Sequence, residues 1–323
     1  MRAVTFTVLL RETLAEALRA DPRIFLLGED IGAYGGAFGV TRGLLREFGP
    51  ERVRDTPISE QALVGLAIGA AAGGSRPIVE IMFMDFVTLA VDQLVNLAAK
   101  LHYVYGLACP LVLRMPCGGG RGYGATHSQS LERLFFGVPG LRIAVPATAA
   151  DASGLLQTAV ADPNPVLFLE HKLLYPLRWD LPDGLPPPVP FGQSRLARAG
   201  ADLTIVAWSW MSAVAERAAA ALAAEGVDAE VIDLRTLSPL DSAAVLASVR
   251  KTGRALLVEE GPLTGGVAAE IAARLAADAY DRLEAPVRRV ACPDCPLPAA
   301  RSLESAALPD AAAIVRAARD IVR

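Results

Sequence analysis

Short, mainly apolar runs recur along this chain, and most of them alternate with longer segments whose apolar residues fall at helix spacing. In the first half such runs occupy 24–27, 77–81, 111–115, 142–145 and 166–169, with a strand-like piece at 51–55. Helical patterns fill 8–20, 60–72, 87–103 and 149–160, and a further helix is expected to start at 126–130. A strand that is apolar on both faces has to be covered twice, so this alternation predicts an α/β fold: a parallel sheet with helices on both faces. The second half repeats the pattern on a smaller scale, with strands at 203–208, 229–234, 255–259 and 287–290 and helices at 211–225, 241–250, 267–280 and 310–322. Between them, Pro176, Pro182-Asp183-Gly184 and Pro186-Pro187-Pro188 break any periodicity. The expected domains are 1–175 and 196–323, joined by a Pro-rich linker at 176–195, and two cores suit a chain of 323 residues.

One helix stands out. Residues 62–72 are apolar almost all round, and a helix without a polar face is expected to be buried. Thr56-Pro57-Ile58-Ser59-Glu60 leads into it, which puts Glu60 on the first turn of a core helix, at its positive dipole end. A carboxylate is favoured there by the dipole alone, which is the plainer account of the residue taken by itself, with a catalytic role as the alternative.

Composition narrows the function classes. The chain is 53% hydrophobic and 20% charged with a formal net charge of −4, which gives no sign of nucleic-acid or membrane-surface binding. No window reaches the ~18–20 unbroken apolar residues of a membrane span. Arg11 and Glu12 come too early for a secretory signal, so a bacterial cytoplasmic location is expected. Four cysteines in so long a chain make no disulfide framework. Cys292-Pro293-Asp294-Cys295 has the spacing of half a zinc site or of a redox pair, but no second pair accompanies it, and two unpaired turn cysteines is the plainer account.

Of three histidines, His102 lies within a helical run and His171 just follows a strand, and both suit packing or surface roles. His127 follows a loop with five glycines between 118 and 124, where backbone can approach a ligand and an imidazole can exchange protons. That loop and the one at 32–39 invite a phosphate reading, yet neither has the spacing of a phosphate-binding fingerprint. The 32–39 loop suits a ligand loop and a plain surface loop equally. No Gly-x-Ser-x-Gly is present to anchor a hydrolase triad.

Several motifs occur in a recognisable order: Gly28-Glu29-Asp30-Ile31-Gly32, Asp55-Thr56-Pro57-Ile58-Ser59-Glu60, Asp92-Gln93-Leu94-Val95-Asn96-Leu97-Ala98-Ala99-Lys100 and His127-Ser128-Gln129-Ser130. Val231-Ile232-Asp233-Leu234-Arg235-Thr236-Leu237-Ser238-Pro239, Lys251-Thr252-Gly253-Arg254 and Leu263-Thr264-Gly265-Gly266 follow. Together they resemble the β subunit of the thiamine-diphosphate-dependent decarboxylating component of 2-oxo acid dehydrogenase complexes, the pyruvate, branched-chain and acetoin group. The resemblance runs from about Thr5 to the C-terminus.

That resemblance implies a transketolase-like pyrimidine-binding domain followed by a smaller transketolase C-terminal-like domain. It assigns Glu60 to the cofactor's aminopyrimidine, whose activated form deprotonates the thiazolium. It places Ile58, Met82 and Phe86 around that ring and His127 in the channel, handling protons or acyl transfer to lipoamide. A potassium site on the backbone around Leu111, Val112, Asp162 and Asn164 is implied for some members. The family's Mg²⁺ is held by a Gly-Asp-Gly motif that this sequence lacks. The diphosphate half of the site is therefore expected from an α subunit in an α₂β₂ assembly, with a lipoyl-bearing acyltransferase core as the further partner. Thr126, Glu259-Glu260-Gly261, Cys292 and Cys295 depart from the family pattern and leave substrate and core contacts open. An acetoin dehydrogenase β subunit is the alternative within the family. A transketolase fragment is disfavoured by length. A non-catalytic scaffold would have no use for Glu60, Phe86 and His127 together.

Overall fold

Phe6–Ala20 shows how pattern becomes structure. Phe6, Leu9, Leu10, Thr13, Leu14 and Leu18 recur every three or four residues and are all buried. Thr5 caps this helix through Oγ1, which accepts from Val8 N at 3.2 Å. The computed structural model describes residues 1–322. Two compact units emerge, one of Met1–Cys117 with Gly137–Phe191, the other of Gly118–Phe136 with the chain from Gly192 onward.

The first unit contains β1 (Arg2–Thr5), α1 (Phe6–Ala20), β2 (Ile24–Gly28), α2 (Leu44–Phe48), β3 (Val53–Asp55), α3 (Glu60–Ala72), β4 (Arg76–Glu80), α4 (Leu101–Tyr105), β5 (Val112–Cys117), β6 (Arg142–Ala144), α5 (Ala149–Ala161), β7 (Val166–His171) and β8 (Arg178–Leu181). Parallel pairing within it follows the order β6-β7-β5-β4-β2-β3. The chain leaving β2 turns towards β3, whereas the chain leaving β4 turns the other way, towards β5. A crevice at the carboxyl ends of β2 and β4 is the usual ligand position in such a sheet.

The second unit contains β9 (Arg195–Arg198), β10 (Leu203–Ala207), α6 (Trp210–Ala223), β11 (Ala229–Asp233), β12 (Thr236–Ser238), α7 (Ser242–Thr252), β13 (Ala255–Pro262), α8 (Val267–Asp278), β14 (Arg288–Cys292), α9 (Arg301–Ala307) and α10 (Ala311–Val322). Its sheet has the order β14-β13-β10-β11-β9, parallel except for β9. Leu203, Ile205, Ala215, Leu222, Leu256 and Ile314 are among the residues of its core.

The structure departs from the sequence pattern in four places. Residues 87–103 do not form one helix. A 3₁₀ segment (Met84–Ala90), a π turn (Gln93–Leu97), a second 3₁₀ turn (Ala98–Lys100) and α4 succeed one another. The π turn inserts a residue into the helical repeat, leaving Leu94 buried and turning Leu97 outward. No helix starts at 126–130. Gly118 N donates to Gln129 O and Ser130 Oγ to Glu260, which hold that stretch in turns until a short 3₁₀ segment, Glu132–Leu134.

The Pro-rich stretch read as a linker is laid along the first unit. β8 pairs antiparallel with β1, and Val189 N donates to Gly154 O at 3.0 Å. Thr158 Oγ1 donates to Val189 O at 2.7 Å, and a Cβ on Gly154 would lie 2.6 Å from Pro187 O, so glycine is required for the approach. Lastly, helix α3 is only half covered by its own chain. Leu63, Val64, Ala67, Ile68 and Ala71 are buried, while Ala62, Gly69 and Ala72 are exposed and Leu66 is 56% exposed. All-round apolarity predicted full burial, but this chain supplies a packing partner for one face only.

Candidate active site

Backbone geometry at the ends of β2, β3 and β4 builds the first centre. Gly32 N donates to Asp55 Oδ1 at 2.6 Å, and a Cβ on Gly32 would lie 2.3 Å from Asp55 Oδ2. The loops after β2 and β3 are thereby drawn together, with a side chain excluded at the point of contact. Where these loops meet stand two carboxylates, Glu29 just after β2 and Glu60 at the start of α3, each 4% exposed. Glu29 Oε1 accepts from Ser59 N at 3.2 Å, so the residue that precedes α3 is tied to the end of β2. Burial pushes the Glu29 carboxyl up from its ordinary range, the charge of Glu60 pushes it further, and the Ser59 amide pulls the other way. Glu60 itself occupies the first turn of α3, as its sequence position predicted.

Met82 and Phe86 follow β4 and are half-buried. Phe86 meets Phe83 edge-on with centroids 6.4 Å apart, and Phe38 packs edge-on to Phe83 at 5.7 Å and stacks on Tyr175 at 5.0 Å. Phe38 pins the glycine-rich 32–39 loop onto the unit. Ile58, by contrast, is 80% exposed. Glu60, Ile58, Met82 and Phe86 thus all belong to the first unit. Glu29 lies in the Gly28–Gly32 motif, where nothing local distinguishes it as a site residue. Its position at the end of a buried parallel strand was the available signal.

Asp162 and Asn164 also lie in this unit, in a turn where Asp162 Oδ1 accepts from Asn164 N at 2.8 Å and from its side-chain amide at 2.9 Å. Leu111 O accepts from Val166 N, and Asp162 O from Arg76 Nη2 at 3.3 Å. Val112 begins β5 and is buried.

The second unit holds His127. The backbone amides of the glycine-rich loop before it are already taken: Gly119 N donates to Glu260 at 2.7 Å, while Gly120 N and Gly122 N donate to the two oxygens of Glu304 at 2.9 and 2.8 Å. These carboxylates occupy the donors that a phosphate would need, and they explain why 118–136 packs with the second unit. Arg133 Nη1 adds a bond to Thr264 O at 2.7 Å. His127 is half-buried, and its Nδ1 lies 3.0 Å from Thr126 Oγ1.

The same unit holds a deeply buried acid, Glu259. A Cβ on Gly266 would stand 2.1 Å from its Oε1, which has no hydrogen-bond partner among the described residues. Burial raises its pKa to about 8, aided by the charge of Glu132; the amides of Ala268 and Val267 oppose the shift. The folded-state value lies above the ordinary 4.5. Its contribution to stability is therefore complete below the unfolded value and is lost as pH rises through about 8. Thermal unfolding is expected to occur at a lower temperature at about pH 9 than at about pH 6, by an amount equivalent to roughly a few kcal/mol. Glu259→Gln should flatten that slope, which unfolding followed by circular dichroism will read. An unchanged slope in the variant would place the pH dependence elsewhere.

Two α/β units with this sheet order define a transketolase-like fold. Residues 2–178 match the transketolase pyrimidine-binding domain and 192–314 the transketolase C-terminal domain. Among solved structures, a split-gene transketolase described as an inactive β4 tetramer superposes with a TM-score of 0.78 at 24% identity, covering 97% of this chain and 96% of that one. Curated relatives are more similar. The pyruvate dehydrogenase E1 component subunit beta of Rhizobium meliloti is 44% identical over 323 residues, 99% of this chain and 70% of that one. The subunit of the same name from Rickettsia felis is 43% identical over 320 residues, 98% of each chain. The subunit beta of the acetoin:2,6-dichlorophenolindophenol oxidoreductase of Cupriavidus necator is 42% identical over 334 aligned positions, 100% of this chain and 98% of that one. This chain belongs to the transketolase-like E1 β-subunit family of 2-oxo acid and acetoin dehydrogenases. Membership implies the use of thiamine diphosphate. No helix among the described residues is long and apolar enough to cross a membrane.

Proposed function

We propose that this chain supplies the aminopyrimidine half of a thiamine diphosphate site completed by an α subunit, for oxidative decarboxylation of a 2-oxo acid and acyl transfer to lipoamide. The observation that carries this reading is the buried pair of Glu60 and Glu29 at the ends of β2 and β3, with half-buried Met82 and Phe86 on the chain that leaves the neighbouring strand β4 and packs on α3. A buried carboxylate on the first turn of a helix, next to an apolar wall, fits one polar nitrogen edge and one flat face of an aminopyrimidine. When bound, the cofactor supplies an electron sink for the carbon–carbon bond that breaks.

The remaining roles fall to the chain itself. Glu60 holds and returns the proton at the pyrimidine N1′, and Glu29 keeps the Glu60 loop in place through Ser59 N. Met82 and Phe86 bound the ring, and Ile58 completes the enclosure when the partner covers it. His127 exchanges protons with the reacting group or steers the acyl group to lipoamide. The exposed apolar face of α3, with Leu66 at its centre, suits a subunit interface. The sequence contains no Gly-Asp-Gly, so we assign Mg²⁺ to the α subunit. The carbonyls near Leu111, Val112, Asp162 and Asn164 are our assignment for a structural K⁺. The lipoyl-bearing acyltransferase core is the third component.

Pyruvate is the first substrate to test and acetoin the second, because relatives of both names align along nearly the whole chain. The chain, co-produced with its α subunit and given thiamine diphosphate and Mg²⁺, is expected to reduce an artificial electron acceptor with one of these substrates. Either subunit alone should give none. Turnover by this chain alone would contradict the shared site, and a stable complex that binds no cofactor would favour a scaffold role.

A further inference from the structure

The second unit contains a cavity of about 660 Å³ whose lining includes Ser128, Ser130, Glu260, Asp294, Cys292 and Cys295. Two of its wall residues are thiols only three positions apart. Cys292 ends β14 and is 3% exposed, whereas Cys295 is exposed, and both are free. Three residue steps of extended chain would hold their Cα atoms about 10 Å apart. The chain is not extended here. Cys295 N donates to Pro293 O at 2.8 Å, which folds the backbone over at Asp294 and brings Cys295 back towards the strand end. Such a fold-back shortens the span towards the ~4.4–6.8 Å that a disulfide accepts.

The turn is held from both sides. Leu263 N donates to Cys292 O at 2.9 Å, and Asp294 accepts from Thr264 N at 2.9 Å and from Thr264 Oγ1 at 2.5 Å. Arg289 Nη1 donates to Leu263 O at 2.8 Å and steadies the strand that supports it. Nothing in the cofactor chemistry proposed above uses either thiol.

We propose that Cys292 and Cys295 form a reversible intramolecular disulfide, making this wall of the cavity a redox modification site. The oxidant is a low-molecular-weight disulfide, RSSR. Exposed Cys295 reacts first: it loses its proton and attacks one sulfur, a Cys295–S–SR bond forms, the S–S bond of RSSR breaks, and RS⁻ leaves to take up a proton. Cys292 then gives up its proton and attacks Cys295 Sγ. The Cys292–Cys295 bond forms, and the second RS⁻ leaves and is protonated. Two protein thiols are oxidised and RSSR is reduced to two RSH. The order of events follows from burial, which pushes the Cys292 thiol up to about 12 and keeps it from acting as the first nucleophile.

The test uses oxidised glutathione on the full-length chain in its complex with the α subunit, followed by denaturing alkylation, digestion and mass spectrometry. The wild-type peptide spanning 292–295 is expected to lack two hydrogens and to resist alkylation, while Cys109 and Cys117 alkylate. Cys292→Ser should instead accumulate a glutathione adduct on Cys295, and Cys295→Ser should remain unmodified. A wild-type protein that keeps a stable adduct on Cys295 with Cys292 free would overturn the proposal. So would no oxidation at either residue, or a disulfide to Cys109 or Cys117. None of these readouts depends on turnover, so the result stands apart from the function proposed above.

Discussion

Glu60→Gln is expected to lower 2-oxo-acid turnover in the α-containing complex by about 10²–10⁴-fold or more, the range lost with a positioned acid or base. The substitution preserves shape and hydrogen bonding but removes the proton that the carboxyl exchanges. It should not unfold the unit, because Glu60 stands beside another buried carboxylate and loses a repulsion when neutralised. A second readout separates this role from a structural one. The charge of Glu60 helps to hold the Glu29 pKa up, so Glu29 should titrate lower in the Gln variant, while its burial still keeps it raised. Turnover assays, thermal unfolding and carboxyl-resolved NMR titration give the three measurements. Undiminished turnover in Glu60→Gln would sink the assignment of Glu60 and, with it, the central claim of the proposed function.

Arg114→Met is expected to destabilise the first unit by about 3–5 kcal/mol, the cost of leaving buried charge without its partner. Arg114 is 1% exposed and reaches both oxygens of Glu170, through Nε and Nη2 at 2.7 Å each, while Nη1 meets Glu80 Oε2 at 2.6 Å. Tyr175 OH adds a bond to Glu170 at 2.7 Å. Burial pushes the Glu80 carboxyl up even with Arg114 pulling it down, so the acids are costly where they are and depend on the guanidinium. Urea denaturation of the wild type and of Arg114→Met should show this loss. Arg114→Lys should recover only part of it, because an ammonium cannot make the paired contact with Glu170. Replacing Glu80 and Glu170 by Gln together with Arg114→Met should cost less than Arg114→Met alone. Equal losses in all variants would mean that packing volume, not unpaired charge, governs the site.

The network also shows where sequence reading stops. Arg114, Glu80 and Glu170 each sit in or at the end of an apolar run, on three different strands, and only the order β7-β5-β4 brings them together. Glu60 was legible because two local signals, Thr56-Pro57 and the apolar helix that follows, fix it at a helix start. Glu29 was not legible as its partner, because the contact depends on parallel pairing of β2 and β3. The glycine-rich loop before His127 was legible as a loop, but its amides being consumed by Glu260 and Glu304 was not, since those acids lie 141 and 184 residues away. The helix expected at 126–130 failed for the same reason: side-chain bonds from distant residues outcompeted a weak local pattern.

What the sequence determined by itself is the alternation of strands and helices, the two-part organisation, the place of Glu60 and the family. Each rests on short-range periodicity or on collinear motifs, which need no knowledge of what lies across the sheet. Tertiary structure decided which unit takes 118–136, that the Pro-rich stretch straps α5, and that α3 keeps one apolar face uncovered. It also paired Glu29 with Glu60 and folded Cys295 back towards Cys292. These outcomes depend on buried polar groups finding partners far along the chain, and only the packed fold supplies those partners.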